Sequence, residues 1–429
     1  MNPARSQRYK WAILAMGCLC VFGALGLGRF GYASVLPAMQ KGLGFSNTQA
    51  GALATWNLAG YVVMAVVAGV ASARFGPRRV IPAGLLVAGV GMVLTGLAGG
   101  VGSAALARAL TGLGAGATNV PAVAMMSIWF SARRRGLASG FVVSGSSLAL
   151  VIVGPTVPRL IAGAGPGGWR LCWYIFGAVT LVLAGAALMV LRDRPLGAGP
   201  GPAAAEPAPH AWRRILRSGY AWRLGIVYFA FGFSYMIYMT FFVKRLTTDA
   251  GYSSGAAGDL YMLLGWASLL CGVVWGYVSD RIGRKSALAI VCLVHVVAFS
   301  LFAMRPTTFG LTASAVLFGL TAWSIPGIVG AACGDRFGPL LASTALGFLT
   351  VFLGVGQAIG PTIGGAMADH FASFGPSYWL AAGTALVGVI AALLMPALTA
   401  ESGSSGLVPM GRAGREGSMD SARSAGGGS

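Results

Sequence analysis

Arg29 sits in the run Gly26-Leu27-Gly28-Arg29-Phe30-Gly31-Tyr32, inside an apolar stretch long enough to cross a bilayer. An arginine at mid-membrane costs about 2.5–3.5 kcal/mol on insertion scales, less where it faces water or snorkels. A chain that keeps one there uses it. Guanidinium binds carboxylate or phosphate through two parallel hydrogen bonds, so the chemistry on offer is recognition of an anion. The competing reading is an arginine bonded to the carbonyls of a neighbouring helix. Few other residues carry comparable chemistry. Arg108 shares a helical face with Gly112 and Gly116, and Asn119 follows three turns on. Tyr228, Phe231, Tyr235, Tyr238 and Phe242 step by three and four, which makes one helical stripe. Trp323, Ser324 and Pro326-Gly327 mark a kinked apolar run.

The acidic residues narrow the chemistry further. All ten are Asp193, Glu206, Asp249, Asp259, Asp280, Asp335, Asp369, Glu401, Glu416 and Asp420, and none lies deep in an apolar run. Arg29 therefore has no evident counter-ion in the chain, and an incoming anion can fill that role. Pumps driven by protons or sodium usually keep an intramembrane carboxylate; here Asp259, at the outer start of the eighth run, is the nearest substitute. His295 lies mid-run and reads as structural. There is no His-Glu-x-x-His, nucleotide loop, clustered carboxylates or Cys-x-x-Cys, so neither catalytic residues nor a metal or cofactor site is expected.

The elements that must hold these residues are transmembrane helices. Of 429 residues, 56% are hydrophobic and only 9% charged, against roughly a quarter charged in soluble chains. Twelve apolar runs of spanning length fall at about 11–37, 48–71, 79–99, 103–128, 137–162, 170–191, 222–246, 257–279, 286–304, 308–333, 340–367 and 376–397. They are too long for barrel strands and do not alternate in polarity. The net charge of +20 does not indicate nucleic acid, because the basic residues fall in short clusters between apolar runs. With the N-terminus inside, nineteen Lys and Arg lie on the cytoplasmic side and six (Lys41, Arg159, Arg170, Lys244, Arg245, Arg305) on the other. That asymmetry places both termini in the cytoplasm of a bacterial-type inner membrane.

The six cysteines read as small packing residues. Residues 193–221, rich in Pro, Gly and Ala and then basic at Arg213, Arg214 and Arg217, read as a cytoplasmic linker ending in a surface helix. Residues 399–429 are polar and of low complexity, and Leu407-Val408-Pro409-Met410-Gly411 resembles a degraded protease-site linker. That tail is expected to be disordered and foreign to the fold.

The linker separates two related halves, 11–192 and 222–398. Gly44-Phe45-Ser46 with Gly51 and Leu53 recurs as Gly251-Tyr252-Ser253 with Gly258 and Leu260, at an offset of 207. The same offset carries Gly69, Arg74, Gly76 and Arg78 to Gly276, Arg281, Gly283 and Lys285, and Gly154-Pro155-Thr156 recurs as Gly360-Pro361-Thr362. Two parallel six-helix repeats related by an axis along the membrane normal follow. At the offset of 207 the counterpart of Arg29 is Met236, so the charge belongs to one half only.

Twelve spans in two six-helix bundles, with glycine–basic loops after the second and eighth, resemble the major facilitator superfamily. The loop Gly276-Tyr277-Val278-Ser279-Asp280-Arg281-Ile282-Gly283-Arg284-Lys285 fits that family's loop motif in full. The first copy departs from it at Ala73 and Pro77. The run from Leu27 through Tyr32 to Leu36-Pro37, with Asn57 and Tyr61 in the second span, is similar to the YbfB/YjiJ-type branch.

The resemblance implies a secondary active or facilitative transporter working by rocker-switch alternating access, with spans 1, 4, 7 and 10 lining a central cavity. It implies that Arg29, Tyr32, Asn119, Tyr235, Tyr238 and Trp323 bind substrate. Arg108 and Asp259 are implied in coupling or bracing. Asp280, Arg281 and Arg284, with Lys285, would latch the facing bundle in one state and release it in the other. Asn57 and Tyr61 read as braces between helices. Gly347, Gly356, Gly360-Pro361 and Gly364-Gly365 in the eleventh span read as a hinge. The expected cargo is a small organic anion such as a monocarboxylate, its acid on Arg29 and its carbon skeleton against Tyr235 and Tyr238. Export of hydrophobic compounds and a non-transporting receptor are the rivals. A monomer in the lipid bilayer, without cofactor or nucleic acid, completes the expectation.

Overall fold

The computed structural model describes residues 3–131, 134–194, 211–304 and 306–396. The expected disordered tail and most of the linker lie outside them. In chain order the helices are α1 (Pro3–Val21), a π-helix (Phe22–Phe30), α2 (Gly31–Leu43), α3 (Asn47–Phe75), α4 (Pro77–Leu97), α5 (Val101–Trp129), α6 (Arg135–Val143), α7 (Gly145–Ala164), α8 (Gly168–Val190), α9 (Ala211–Leu216), α10 (Gly219–Thr248), α11 (Ser254–Ser268), α12 (Cys271–Ile282), α13 (Arg284–Ala303), α14 (Thr308–Gly319), α15 (Ser324–Phe371) and α16 (Gly375–Leu393). No strand occurs among the described residues. Nine helical segments are long and apolar enough to cross a membrane, or ten if α11 and α12, bent by 41°, form one span. Val66, Val70, Leu106, Val182 and Phe309 are each more than 70% exposed, a surface suited to lipid and not to water.

The sequence repeats turn out to mark helix ends. Gly44 and Gly251 are left-handed, at φ 67° and 70°, where a side chain would be strained. Two residues later Ser46 and Ser253 accept the Gln49 and Ala256 N–H groups and cap α3 and α11. In the first loop, which has Ala73 where the second has Asp280, Asp193 supplies a carboxylate from beyond α8. Its Oδ1 accepts the Arg78 N–H at 2.8 Å, at the start of α4. Two of the basic residues on the sparser side are also structural. Arg170 donates to the Gly96 and Ala98 carbonyls that end α4, and buried Arg245 donates to Phe302, Ala303 and Met304 at the end of α13.

Contacts between the first and second parts of the chain concentrate at one end. A Cβ on Gly51 would collide with the Pro361 carbonyl, one on Gly365 with the Asn47 carbonyl, and one on Gly258 with the Gly154 carbonyl. Thr55 Oγ1 donates to the Ala358 carbonyl and lies 2.9 Å from Thr362 Oγ1. Asp369 on α15 closes this end by capping α3: it accepts the Asn47 N–H at 2.9 Å, the Thr48 N–H at 2.7 Å and the Thr48 hydroxyl at 2.6 Å. Toward the other end the seam opens, and Gly69, Gly276 and Gly347 have nothing within 4 Å of a built Cβ.

Through Gly356–Gly365 α15 is helical in this conformation, and its glycines admit α10 and α3 to close contact; at Gly338, with φ 71° and ψ 171°, two helices meet end to end. Because Asp369 caps a helix across the seam, Asp369→Ala should weaken closure by about 1–2 kcal/mol. Spin-label distances between the Asn47 end of α3 and the Phe371 end of α15 should then show the separated population growing several-fold.

Candidate functional site

Arg29 stands at the end of the nine-residue π-helix. The wider winding, in which the Gly31 N–H reaches back to the Gly26 carbonyl, is a feature often found at functional sites. Glycine is needed along this stretch. A Cβ on Gly26 would meet Ala149, one on Gly28 would meet Met92 and Thr111, and one on Gly31 would meet Phe176. Two carbonyls of the stretch are taken by other helices. Arg108 Nη1 donates to Gly28, and the Tyr261 hydroxyl donates to Phe30 at 2.9 Å.

Arg108 is a brace. It is 1% exposed, and its guanidinium lies 4.7 Å from the Tyr32 ring and 5.1 Å from the Trp173 ring. Asn57 Nδ2 donates to the Arg108 carbonyl at 3.0 Å, which makes it the brace that its position suggests.

Arg29 has a different environment. It is 8% exposed, its Cζ lies 4.4 Å from the centroid of the Tyr61 ring, and the Tyr235 hydroxyl lies near enough to feel its charge. Nε and Nη2 have no hydrogen-bond partner. These two atoms form the side-on edge of the guanidinium, the edge that grips a carboxylate with two parallel bonds. The three ion pairs among the described residues, Arg245–Asp249, Arg284–Asp280 and Arg284–Asp335, all lie elsewhere. A void of ≈ 10 Å³ beside Arg29 is shared with Tyr32, Asn57, Arg108 and Met236, so Arg29 and its repeat counterpart meet at one place. That void holds about one water at most and is no substrate chamber.

The other expected site residues divide. Asn119 Nδ2 donates to the Tyr61 hydroxyl at 2.9 Å, while its Oδ1 is buried and unpartnered. Tyr235 accepts from Gln357 Nε2 at 2.7 Å and stands 6.3 Å, edge-on, from Trp323. Trp323 reaches across the seam: its indole lies 5.1 Å from the Phe30 ring and donates to Ser147 Oγ at 2.9 Å. Tyr32 lines the small void, but its hydroxyl is spent on the Ala50 carbonyl.

Tyr238 does not join this group. Its hydroxyl is 2.8 Å from Ser314 Oγ, and its ring packs among Phe242, Phe299, Phe302, Phe318 and Tyr378. The stripe on α10 therefore splits, with Tyr235 beside Arg29 and Tyr238 inside an aromatic core. His295 belongs to that core too, against Phe231, Phe299 and Phe318.

In this conformation the expected latch residues bind within their own half of the chain. Arg284 binds Asp280, Asp335 at 2.8 Å and Ser279 at 2.6 Å, all within the second part of the chain, and Arg281 stacks on Tyr277. In this conformation these contacts reach no residue before 194. Asp259 is exposed near the start of α11, far from being an intramembrane carboxylate. Sequence reasoning had set Tyr61 aside as a brace and passed over Gln357. The available signal for Gln357 was an amide inside a glycine-rich apolar span.

A family model described as "Uncharacterised MFS-type transporter YbfB" matches residues 21–394. The chain belongs to the major facilitator superfamily. The transporter is 26% identical to the "Probable sulfoacetate transporter SauU" of Cupriavidus necator, over 92% of this chain and 96% of that one. It is 23% identical to the "Hexuronate transporter" of Bacillus subtilis, over 86% and 90%. Its fold matches the crystal structure of a bacterial homologue of the human lysosomal transporter Spinster, inward-facing and unoccupied, with a TM-score of 0.72 at 18% identity, covering 91% of the transporter and 96% of that chain. The transporter is thus a multi-pass membrane protein and not an enzyme.

Proposed function

We propose that the transporter carries a small organic anion, a monocarboxylate being the simplest, by rocker-switch alternating access, with the acid group bound by Arg29. The observation that carries this reading is the buried guanidinium whose Nε and Nη2 are both unpartnered, with no ion-paired carboxylate beside it. A carboxylate placed on that edge would satisfy both donors and neutralise the charge. A neutral cargo would leave the charge uncompensated and a cationic one would be repelled by it, which disfavours export of lipophilic cations. The sulfoacetate and hexuronate named for the two relatives are organic anions, in keeping with this.

The architecture behind the reading is twelve spans in two six-helix bundles, 11–192 and 222–398, working as a monomer in the bilayer. The basic asymmetry supports cytoplasmic termini in a bacterial inner membrane. In that orientation the end sealed by Asp369, Gly51 and Gly258 faces outward and the parted end faces the cytoplasm.

Counterflow into proteoliposomes tests the reading. Radiolabelled small carboxylates should accumulate at least about ten-fold over protein-free vesicles when unlabelled acid is trapped inside, since gated carriers exchange bound cargo between two states. Accumulation of a lipophilic cation but of no anion in the same vesicles would refute it.

A further inference from the structure

Arg29 is flanked by two amide–phenol pairs, one from each half of the chain. Asn119 is bonded to Tyr61, whose ring lies against the guanidinium, and Gln357 is bonded to Tyr235, whose hydroxyl lies near enough to feel that charge. An aliphatic acid has nothing to offer this lining. Asn119 makes the point sharpest, because its Oδ1 is buried with no partner, one phenol ring away from the guanidinium. Turning the amide over only exchanges the atoms: one polar atom pairs with Tyr61 and the other is left without a partner. A hydroxyl both donates and accepts, so it satisfies whichever atom faces it.

We propose that the transported acid carries a hydroxyl group that bonds Asn119, so that the site selects hydroxylated acids over their deoxy counterparts. The inference rests on the reading of Arg29 as the acid-binding group and adds the class of acid to it. It also changes the expected wall of the site. With Tyr238 in the aromatic core, two phenol–amide pairs, Tyr61–Asn119 and Tyr235–Gln357, remain beside Arg29, and an aliphatic chain laid against Asn119 would leave its buried oxygen unpaired.

The test is binding of matched acid pairs to the purified full-length protein by titration calorimetry: glycolate against acetate, lactate against propionate, and gluconate against hexanoate. In at least one pair the hydroxy acid should bind about ten-fold or more tightly, the scale of one buried hydrogen bond gained or lost. Asn119→Leu, with Asn119→Ala as the second variant should the first fail to fold, should bring that pair within about three-fold, mostly by weakening the hydroxy acid. If every deoxy acid binds as tightly as its partner, and binding still needs Arg29, the inference falls and the anion reading stands. Discrimination that survives in a folded Asn119 variant overturns the inference as well. Binding of no acid, or binding indifferent to Arg29→Ala, removes the anion reading and the inference together.

Discussion

Arg29→Ala should abolish acid binding and transport while leaving a protein as stable as the original. The two free donors on its side-on edge each make a charge-assisted hydrogen bond worth about 1.5–3 kcal/mol to a bound carboxylate. Losing both removes about 3–6 kcal/mol, or two to four orders of magnitude in affinity. The stability forecast has the opposite sign to that of a structural arginine. A guanidinium buried with two unpaired donors costs the empty protein free energy, so its removal should leave the melting temperature unchanged or raised. Arg29→Lys should not rescue binding, because an ammonium offers a point charge in place of a fork. The readouts are titration of the best acid and a thermal melt of each variant. Retained affinity for every transported acid in Arg29→Ala, or a marked loss of stability, would show that Arg29 serves the fold.

Arg29 was legible in the sequence because intramembrane charge is costly wherever it sits, whatever the surrounding geometry. The repeats were legible for a related reason: helix ends and close helix crossings each demand glycine, and both impose it at fixed offsets. The division of α10 was not legible. The window of Gly219–Thr248 that qualifies as a span is 89% buried, so no exposed arc exists to orient the stripe. Spacing groups Tyr235 with Tyr238, but only the positions of α13, α14 and α16 put Tyr238 against Phe299, Phe318 and Tyr378. Val101–Trp129 shows the converse. Arg108, Asn119 and its glycines dilute its hydropathy, and it is not among the nine segments that pass by composition, although it carries two of the expected site residues. Gln357 and Tyr61 become site residues only through Tyr235 and Arg29, partners 122 positions away in the first case and on another helix in the second. Whether the Gly356–Gly365 run serves bending or contact is not legible in the sequence, because glycine that permits either looks the same in one dimension.

That distinction between bending and contact yields the second large effect. Gly51 and Gly258 are counterparts in the repeat, and each meets the backbone of the other half: Gly51 at Pro361 and Gly258 at Gly154. The glycine–proline pairs they face, Gly154-Pro155 and Gly360-Pro361, are counterparts as well. One symmetric contact is therefore built twice, and it is the contact that seals the Asp369 end. Gly258→Leu puts a branched side chain against the Gly154 backbone carbonyl and the Pro158 ring, neither of which can step aside as a flexible side chain would. Overpacking of this kind costs typically 1–3 kcal/mol, and here the cost falls only on the conformation in which this end is closed. The protein should fold, bind acid from the opened side and fail to alternate, with transport down by about ten- to a hundred-fold from the shift in population alone. Gly51→Leu should do the same from the other half. The double variant should add little in transport once the closed state is already rare. Acid affinity by calorimetry, flux in proteoliposomes, and spin-label distances across α7 and α11 separate this outcome from misfolding. Normal flux in a folded Gly258→Leu protein would mean that this seam does not open and close during transport.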